Sequence, residues 1–292
     1  MTRRSTTWPS AGSQVVGVIG NPVAHSLSPL LHNSAFDALG LDWVSVGFCV
    51  EPAGLSDALA GIRGLGLLGV SVTMPHKARA AELVDRLSDT AALLGAVNCI
   101  ARDQDELVGH NTDGEGFVAS LRREARFEPA GRRCVVVGAG GAGRAVVSAL
   151  AEAGAEAVVV VARTPAAARR AAALGEAAGR PGTMDDVRGA DLVVDTTPVG
   201  MTGTDSAGAP PVVDPELLGP GQLVVDLVYD PEITPLLSAA MTRGASVLGG
   251  LGMLVHQAAV QLRLWTGLEP PVDVMWAAVD AAVRRKNGPA AQ

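Results

Sequence analysis

The chain has 292 residues, 48% of them hydrophobic but only 3% aromatic, with 35 glycines and a formal net charge of −7. That length fills two hydrophobic cores rather than one. The acidic balance, with no basic block beyond short Arg pairs, excludes a nucleic-acid face and a polybasic membrane anchor.

The opening MTRRSTTWPSAGSQ lacks the apolar core of a signal peptide, so residues 1–13 read as a disordered lead. VVGVIG (15–20), WVSVGFCV (43–50) and GVSVTM (69–74) read as buried strands. Between them, SPLLHNSAFDALG and AGLSDALAGIRGLG carry apolar residues at helical spacing and end in glycine. Alternating strands and helices predict parallel sheets built from βαβ units. A second series follows the helical DGEGFVASLRREA, with strands CVVVGA, AVVVVA, DLVVDT, LVVDLV and ASVLGG. GLGMLVHQAAVQLRLWTG and VDVMWAAVDAAVRRK then read as long helices, and residues 287–292 as a disordered tail. The domain borders fall near Asp113 and Gly250. The longest apolar region, 134–162, is interrupted by Arg144, Glu152 and Glu156, which excludes a membrane span. Cys49, Cys99 and Cys134 show no CxxC spacing and read as buried thiols of a reducing cytosol. A soluble, cytoplasmic α/β protein is expected.

Gly138, Gly140 and Gly143 have G-x-G-x-x-G spacing between a strand and a helix. Such a turn brings the backbone close to a pyrophosphate, and the helix N-terminus supplies N–H groups. NAD sites carry an acid at the end of the next strand, to bind the ribose 2′-OH. Here AVVVVA runs instead into Arg163 and Thr164, and an arginine suits a 2′-phosphate, so NADP is the expected cofactor.

The chain holds only two lysines, Lys77 and Lys286, and Lys77 follows a strand directly. An ammonium exchanges its proton where a guanidinium does not, so Lys77 is a candidate acid–base group. Ser26 and Ser28 precede a helix, where they serve as N-caps or hold a carboxylate. Thr73, Asn98, Asn111, Thr112 and Asp113 complete a polar set suited to binding an alcohol, without a thiol–His pair or a serine-hydrolase elbow. The five histidines match no standard ligand spacing, so no metal is expected.

GVIGNPVAHSLSP, VTMPHK, GAVN, NTDG, GAGGAG, YDPEITPLL and GLGMLVHQA occur in the order of the shikimate dehydrogenase family, and the chain resembles that family over nearly its whole length. The resemblance implies two α/β domains: an N-terminal substrate-binding domain (14–112 and 251–286) to which the last helices return, and a C-terminal Rossmann NADP-binding domain (113–250). It implies an active site in the cleft between them and reduction of 3-dehydroshikimate with NADPH, a step of aromatic amino acid biosynthesis on the chorismate pathway. Lys77 and Asp113 match the family's catalytic pair. Ser26 and Ser28 match its carboxylate-binding serines, with Tyr229 alongside, and Thr73, Asn98, Asp113 and Gln257 its contacts to the ring hydroxyls. Gly138, Ala139, Gly140, Gly141, Ala142, Gly143, Arg163, Thr164, Thr197, Leu227 and Gly250 fall on its cofactor positions.

The chain departs from the pattern at Ser71 (family Asn), His110 (Asp), Ala162 (Asn), Ala167 (basic), Asp195 (Asn) and Gly249 (Asp). A relative acting on quinate, aminoshikimate or another hydroxylated cyclohexane acid is the alternative enzyme, and a nucleotide-binding regulatory protein the alternative of another class. Monomer and homodimer are both left open.

Overall fold

The computed structural model describes residues 9–287. Of the two tails expected to be disordered, 1–8 and 288–292 lie outside the described residues. Ser10–Ser13 form a turn closed by Ser13 N–H donating to Ser10 O at 3.1 Å. The chain divides into two compact units, 1–110 with 258–292, and 111–257. The expected borders were 112/113 and 250/251; the second division falls instead inside a helix, between Gln257 and Ala258.

In the first unit the strands are β1 (Gln14–Gly20), β2 (Trp43–Cys49), β3 (Gly69–Val72), β4 (Arg86–Leu87), β5 (Cys99–Asp103) and β6 (Glu106–His110). The helices are α1 (Ser28–Leu39), α2 (Leu55–Gly64), α3 (Lys77–Leu83) and α4 (Asp89–Leu94). The sheet order is β2-β1-β3-β5-β6-β4. It is not the all-parallel sheet that strand–helix alternation predicts: β5 runs antiparallel to both β3 and β6. The reason is local. Asp103-Gln104-Asp105 reverses the chain with Gln104 at φ 56°, so CIARD and ELVGH form a hairpin instead of a crossover.

The second unit opens with α5 (Asp113–Glu124). Then come β7 (Arg133–Val137), α6 (Gly141–Glu152), β8 (Ala157–Val161), α7 (Pro165–Ala172), β9 (Gly179–Pro181), β10 (Leu192–Asp195), β11 (Leu223–Asp226), α8 (Pro235–Thr242) and β12 (Ser246–Leu248). All six strands are parallel, in the order β12-β11-β10-β7-β8-β9. This is the doubly wound Rossmann order, whose topological switch point lies between β7 and β10. Its valine runs bury alternate residues in two clusters, Val136, Val158 and Val194 on one face, Val135, Val159 and Val193 on the other. Each fully buried side chain of this size contributes roughly 1.5–3 kcal/mol.

Helix α9 (Leu251–Thr266) carries the chain across the division, and α10 (Val272–Asn287) packs on α1 in the first unit. No helix among the described residues is long and apolar enough to cross a membrane. Cys99 and Cys134 are buried, and burial pushes the Cys134 thiol up to about 12. Cys49 corrects the expectation of three buried thiols: it ends the edge strand β2 and is exposed.

Asn33 of α1 satisfies that edge strand, donating to Ser45 O at 2.9 Å and accepting from Ser45 N–H at 2.8 Å. The preceding residue, His32, is fully buried, with Nδ1 3.0 Å from Ser45 Oγ and its ring edge-on to Trp265. Burial lowers its pKa from 6.5 to about 3. The unfolded chain therefore takes up a proton near pH 6.5 that the native state refuses until about pH 3. The stability His32 contributes is present above that window and is lost as pH falls through it. Urea unfolding at about pH 7 and about pH 5 tests this: wild type is expected to lose about 2 kcal/mol more than His32→Leu/Ser45→Ala, which lacks both polar partners. Equal losses would remove His32 from the acid sensitivity.

Candidate functional site

In the first unit, polar residues collect where β1 and β3 end. β1 and β3 are parallel neighbours, so Thr73 N–H continues their ladder to Ile19 O at 2.9 Å, and Asn21 N–H donates to Met74 O at 3.0 Å. Ser26 and Ser28 follow β1 at the start of α1. Ser28 is not the N-cap that Ser-Pro predicts: Leu27 takes that position, and Ser28, buried, donates its N–H to Ser26 Oγ at 3.3 Å. The Ser26 hydroxyl is thereby held at the start of α1, which no side chain caps.

Lys77 is half-buried and opens α3. Its carbonyl accepts from Val97 N–H at 2.8 Å, next to Asn98. The preceding residue, buried His76, places Nε2 2.7 Å from Val50 O at the end of β2. Asn98 is also buried, and its main chain is fixed from three directions. Its carbonyl accepts from Val72 N–H (2.7 Å) and from Gln261 Nε2 of α9 (3.2 Å), and its N–H donates to His110 O (3.0 Å). Ser71 is buried on β3 opposite Cys99, and burial lowers the pKa of half-buried His110.

In the second unit Asp113 is buried at the first position of α5, its N–H donating to Asn111 Oδ1 at 3.1 Å. Thr112, the N-cap, turns its hydroxyl to Gln257 O at 3.1 Å, so the start of α5 and the Gln257 turn of α9 are fixed to each other. The Gln257 amide donates to Leu254 O at 2.8 Å. Tyr229 is half-buried after β11, and burial raises its pKa.

The glycine turn joins β7 to α6. Gly138 has φ +111°, a conformation L side chains rarely adopt, and a Cβ there would collide with Thr196 Oγ1. A Cβ on Gly143 would collide with Gly138 O and lie 2.8 Å from Thr196 Oγ1. Around Gly140 and Gly141, by contrast, a Cβ meets nothing within 4 Å, and no side chain caps α6. Open space over uncapped helix N–H groups is what a pyrophosphate needs, so the turn fits a dinucleotide. Gly138 N–H donates to Val161 O at 2.9 Å, which sets the end of β8 beside the turn. Arg163, two residues on, is exposed and forms no ion pair among the described residues; Thr164 caps α7, accepting from Ala167 N–H at 3.3 Å. Thr197 lies across the switch point, while Leu227 and Gly250 meet at the end of β11, where Leu227 N–H donates to Asp195 O (3.0 Å) and Gly250 N–H to Val228 O (3.2 Å).

Sequence reading passed over two arrangements, and marked Asp195 only as a departure from the family's Asn. His76 and Gln261 hold the main chain around Lys77 and Asn98, a role without a motif. Asp195 and Asp226 end adjacent strands as buried acids. Their signal was present in the repeated tetrapeptide LVVD, at 192–195 and 223–226. Among the described residues no three His, Cys, Asp or Glu are grouped to hold a metal ion.

The glycine contacts separate packing from ligand space. Gly143→Ala is expected to cost about 1–3 kcal/mol of unfolding free energy, because the clash is with backbone. Gly141→Ala, in open space, should stay within about 0.5 kcal/mol of wild type. Urea midpoints read both, and equal midpoints would refute the assignment.

Comparison with known proteins agrees with this geometry. Family models match residues 18–100 (shikimate dehydrogenase substrate binding domain), 126–200 (putative NAD(P)-binding) and 250–279 (shikimate 5′-dehydrogenase C-terminal domain). The chain is 45% identical over 287 residues to the shikimate dehydrogenase (NADP(+)) of Geobacter metallireducens, covering 94% of this chain and 98% of that one. A shikimate dehydrogenase solved in complex with NADP+ superposes with a TM-score of 0.89 at 35% identity, over 94% of this chain and 98% of that one. The Thermus thermophilus shikimate 5-dehydrogenase, solved with NADP(H) and shikimate, gives 0.85 at 38% identity over 92% and 99%. With near-complete coverage from both directions, the chain belongs to the shikimate dehydrogenase family.

Proposed function

We propose that this protein is an NADP-dependent shikimate dehydrogenase, catalysing the reversible reduction of 3-dehydroshikimate to shikimate in aromatic biosynthesis. The observation that carries the reading is the coexistence, over one full-length match, of the open glycine turn with Arg163 after β8 and of Lys77 directly after the Thr73 strand end. NADP(H), when bound, supplies or takes up the hydride. Gly138, Ala139, Gly140, Gly141, Ala142 and Gly143 hold its pyrophosphate, Arg163 and Thr164 its 2′-phosphate, and Thr197, Leu227 and Gly250 its remaining length.

This chain's side chains do the rest. Ser26 and Ser28 donate to the substrate carboxylate, with Tyr229 alongside. Thr73, Asn98 and Gln257 bind ring hydroxyls. Lys77 gives a proton to the forming alkoxide during reduction and withdraws it during oxidation, which an arginine would not do. Asp113 orients the ammonium and the reacting hydroxyl. The reading places the enzyme in the cytoplasm, where the pathway's other small acids are dissolved.

Initial rates with shikimate, quinate and aminoshikimate, each with NADP and with NAD, test the assignment. Shikimate with NADP is expected to dominate in kcat/KM, and Lys77→Ala to reduce that rate by about 10²–10⁴-fold. A higher kcat/KM with quinate or aminoshikimate would transfer the chain to that substrate and point to Ser71 and His110. Arg163→Ala should raise KM for NADP about tenfold while leaving KM for NAD nearly unchanged; equal changes would remove Arg163 from the 2′-phosphate.

A further inference from the structure

Parallel strands β10 and β11 end in register at Asp195 and Asp226, with relative exposures of 1% and 0%. Registered neighbours on parallel strands project to the same face, so two carboxyl groups share one small buried volume. They are not equivalently served. Asp226 has donors on both oxygens, Val228 N–H on Oδ1 at 3.0 Å and the Thr234 hydroxyl on Oδ2 at 2.6 Å. Asp195 receives Thr197 N–H on Oδ1 at 2.8 Å. On its other flank Asp195 is registered with Val137 of β7, the Thr197 hydroxyl also acts on it, and the hydroxyl of Thr234, the N-cap of α8, goes to Asp226. No Lys, Arg or His among the described residues pairs with either acid. Burial raises the pKa of both acids; two like charges this close do not both ionise readily, and the partner with donors on both oxygens keeps the charge more easily. Burial is the main cause that pushes Asp195 up to about 7; the Thr197 N–H pulls against it, the Asp226 charge adds a smaller push, and the Thr197 hydroxyl a smaller pull.

Asp195 also lies next to the cofactor turn. It ends β10 at the switch point, and the following residue, Thr196, donates its hydroxyl to Val137 O at 2.9 Å. That same hydroxyl is the atom that leaves no room for a side chain on Gly138, and it lies 2.8 Å from where a Cβ on Gly143 would be. The acid, the Thr196–Thr197 segment and the glycine turn are thus one continuous packed unit.

We propose that Asp195 is a positioning residue of the dinucleotide site that works as a neutral carboxylic acid, and that its ionisation weakens dinucleotide binding by adding a second buried negative charge behind the glycine turn. The proposal rests on the dinucleotide reading of that turn. By linkage, binding an anionic dinucleotide in turn favours the protonated acid by the same factor.

The test is the dissociation constant of NADPH, followed by its fluorescence from about pH 6 to about pH 8.5, for wild type, Asp195→Asn and Asp226→Asn. Ionisation of the ligand's own phosphate is common to all three, so ratios are compared. The wild-type Kd divided by that of Asp195→Asn is expected to rise about fivefold across the range, with a midpoint near pH 7. Asp226→Asn, which removes the neighbouring charge, should move the wild-type midpoint to lower pH. Parallel profiles for wild type and Asp195→Asn, or a midpoint that ignores Asp226→Asn, would overturn the role of Asp195 and leave the dinucleotide reading standing. No NADPH binding by wild type at any pH would overturn both.

Discussion

A parallel sheet buried on both faces has almost nowhere to put a polar side chain except beyond the ends of its strands, and the second unit is organised by that constraint. Val135, Val136 and Val137, like Val193 and Val194, go alternately into the two core clusters. Polarity returns only as the strands run out: the glycine turn after β7, Arg163 after β8, Asp195 after β10, Asp226 after β11. Since the strand order reverses between β7 and β10, the loops there diverge and leave space. The open surroundings of Gly140 and Gly141 are the visible result.

The first unit meets the same constraint with a mixed sheet. Its hairpin, β5–β6, returns the chain so that His110 pairs with Cys99 and its carbonyl accepts from Asn98 N–H. Helix α9 then closes the sheet from outside, through Gln261 to Asn98 O and Trp265 Nε1 to Ile100 O. The main chain at Asn98, a residue proposed to bind substrate, is thus held by strand ladders and by α9. Val97 N–H holds the Lys77 carbonyl, and His76, the residue before it, is tied to Val50 O.

Cofactor choice and the acid pair are linked by charge. In the proposed site Arg163 directly follows β8, and Ala167 stands where the family has a further base, which makes for a lean anion site. Under those conditions a buried negative charge behind the turn has more influence than it would opposite a dense basic cluster. Asp195 is therefore better read with the cofactor turn than as a packing residue, although it touches the turn only through Thr196.

Much of this was legible in the sequence because the signals were local and repeated. Valine runs punctuated by glycine marked the strands, the glycine spacing marked the turn, and the missing acid before Arg163 marked the cofactor. A lysine among arginines marked the proton donor proposed here. What the sequence did not disclose depended on which elements become neighbours. Ser28 looked like a cap until the backbone put Leu27 there. The hairpin at Gln104 looked like one more crossover, because short apolar runs do not state their direction. Cys49 looked buried because an apolar strand does not reveal that it lies at a sheet edge. The two LVVD segments, thirty-one residues apart by subtraction of 192 from 223, became a carboxyl pair only when β10 and β11 lay in register. Local backbone preference and hydrophobic period are written in consecutive residues, whereas proximity of charges is decided by strand order, which no short window contains.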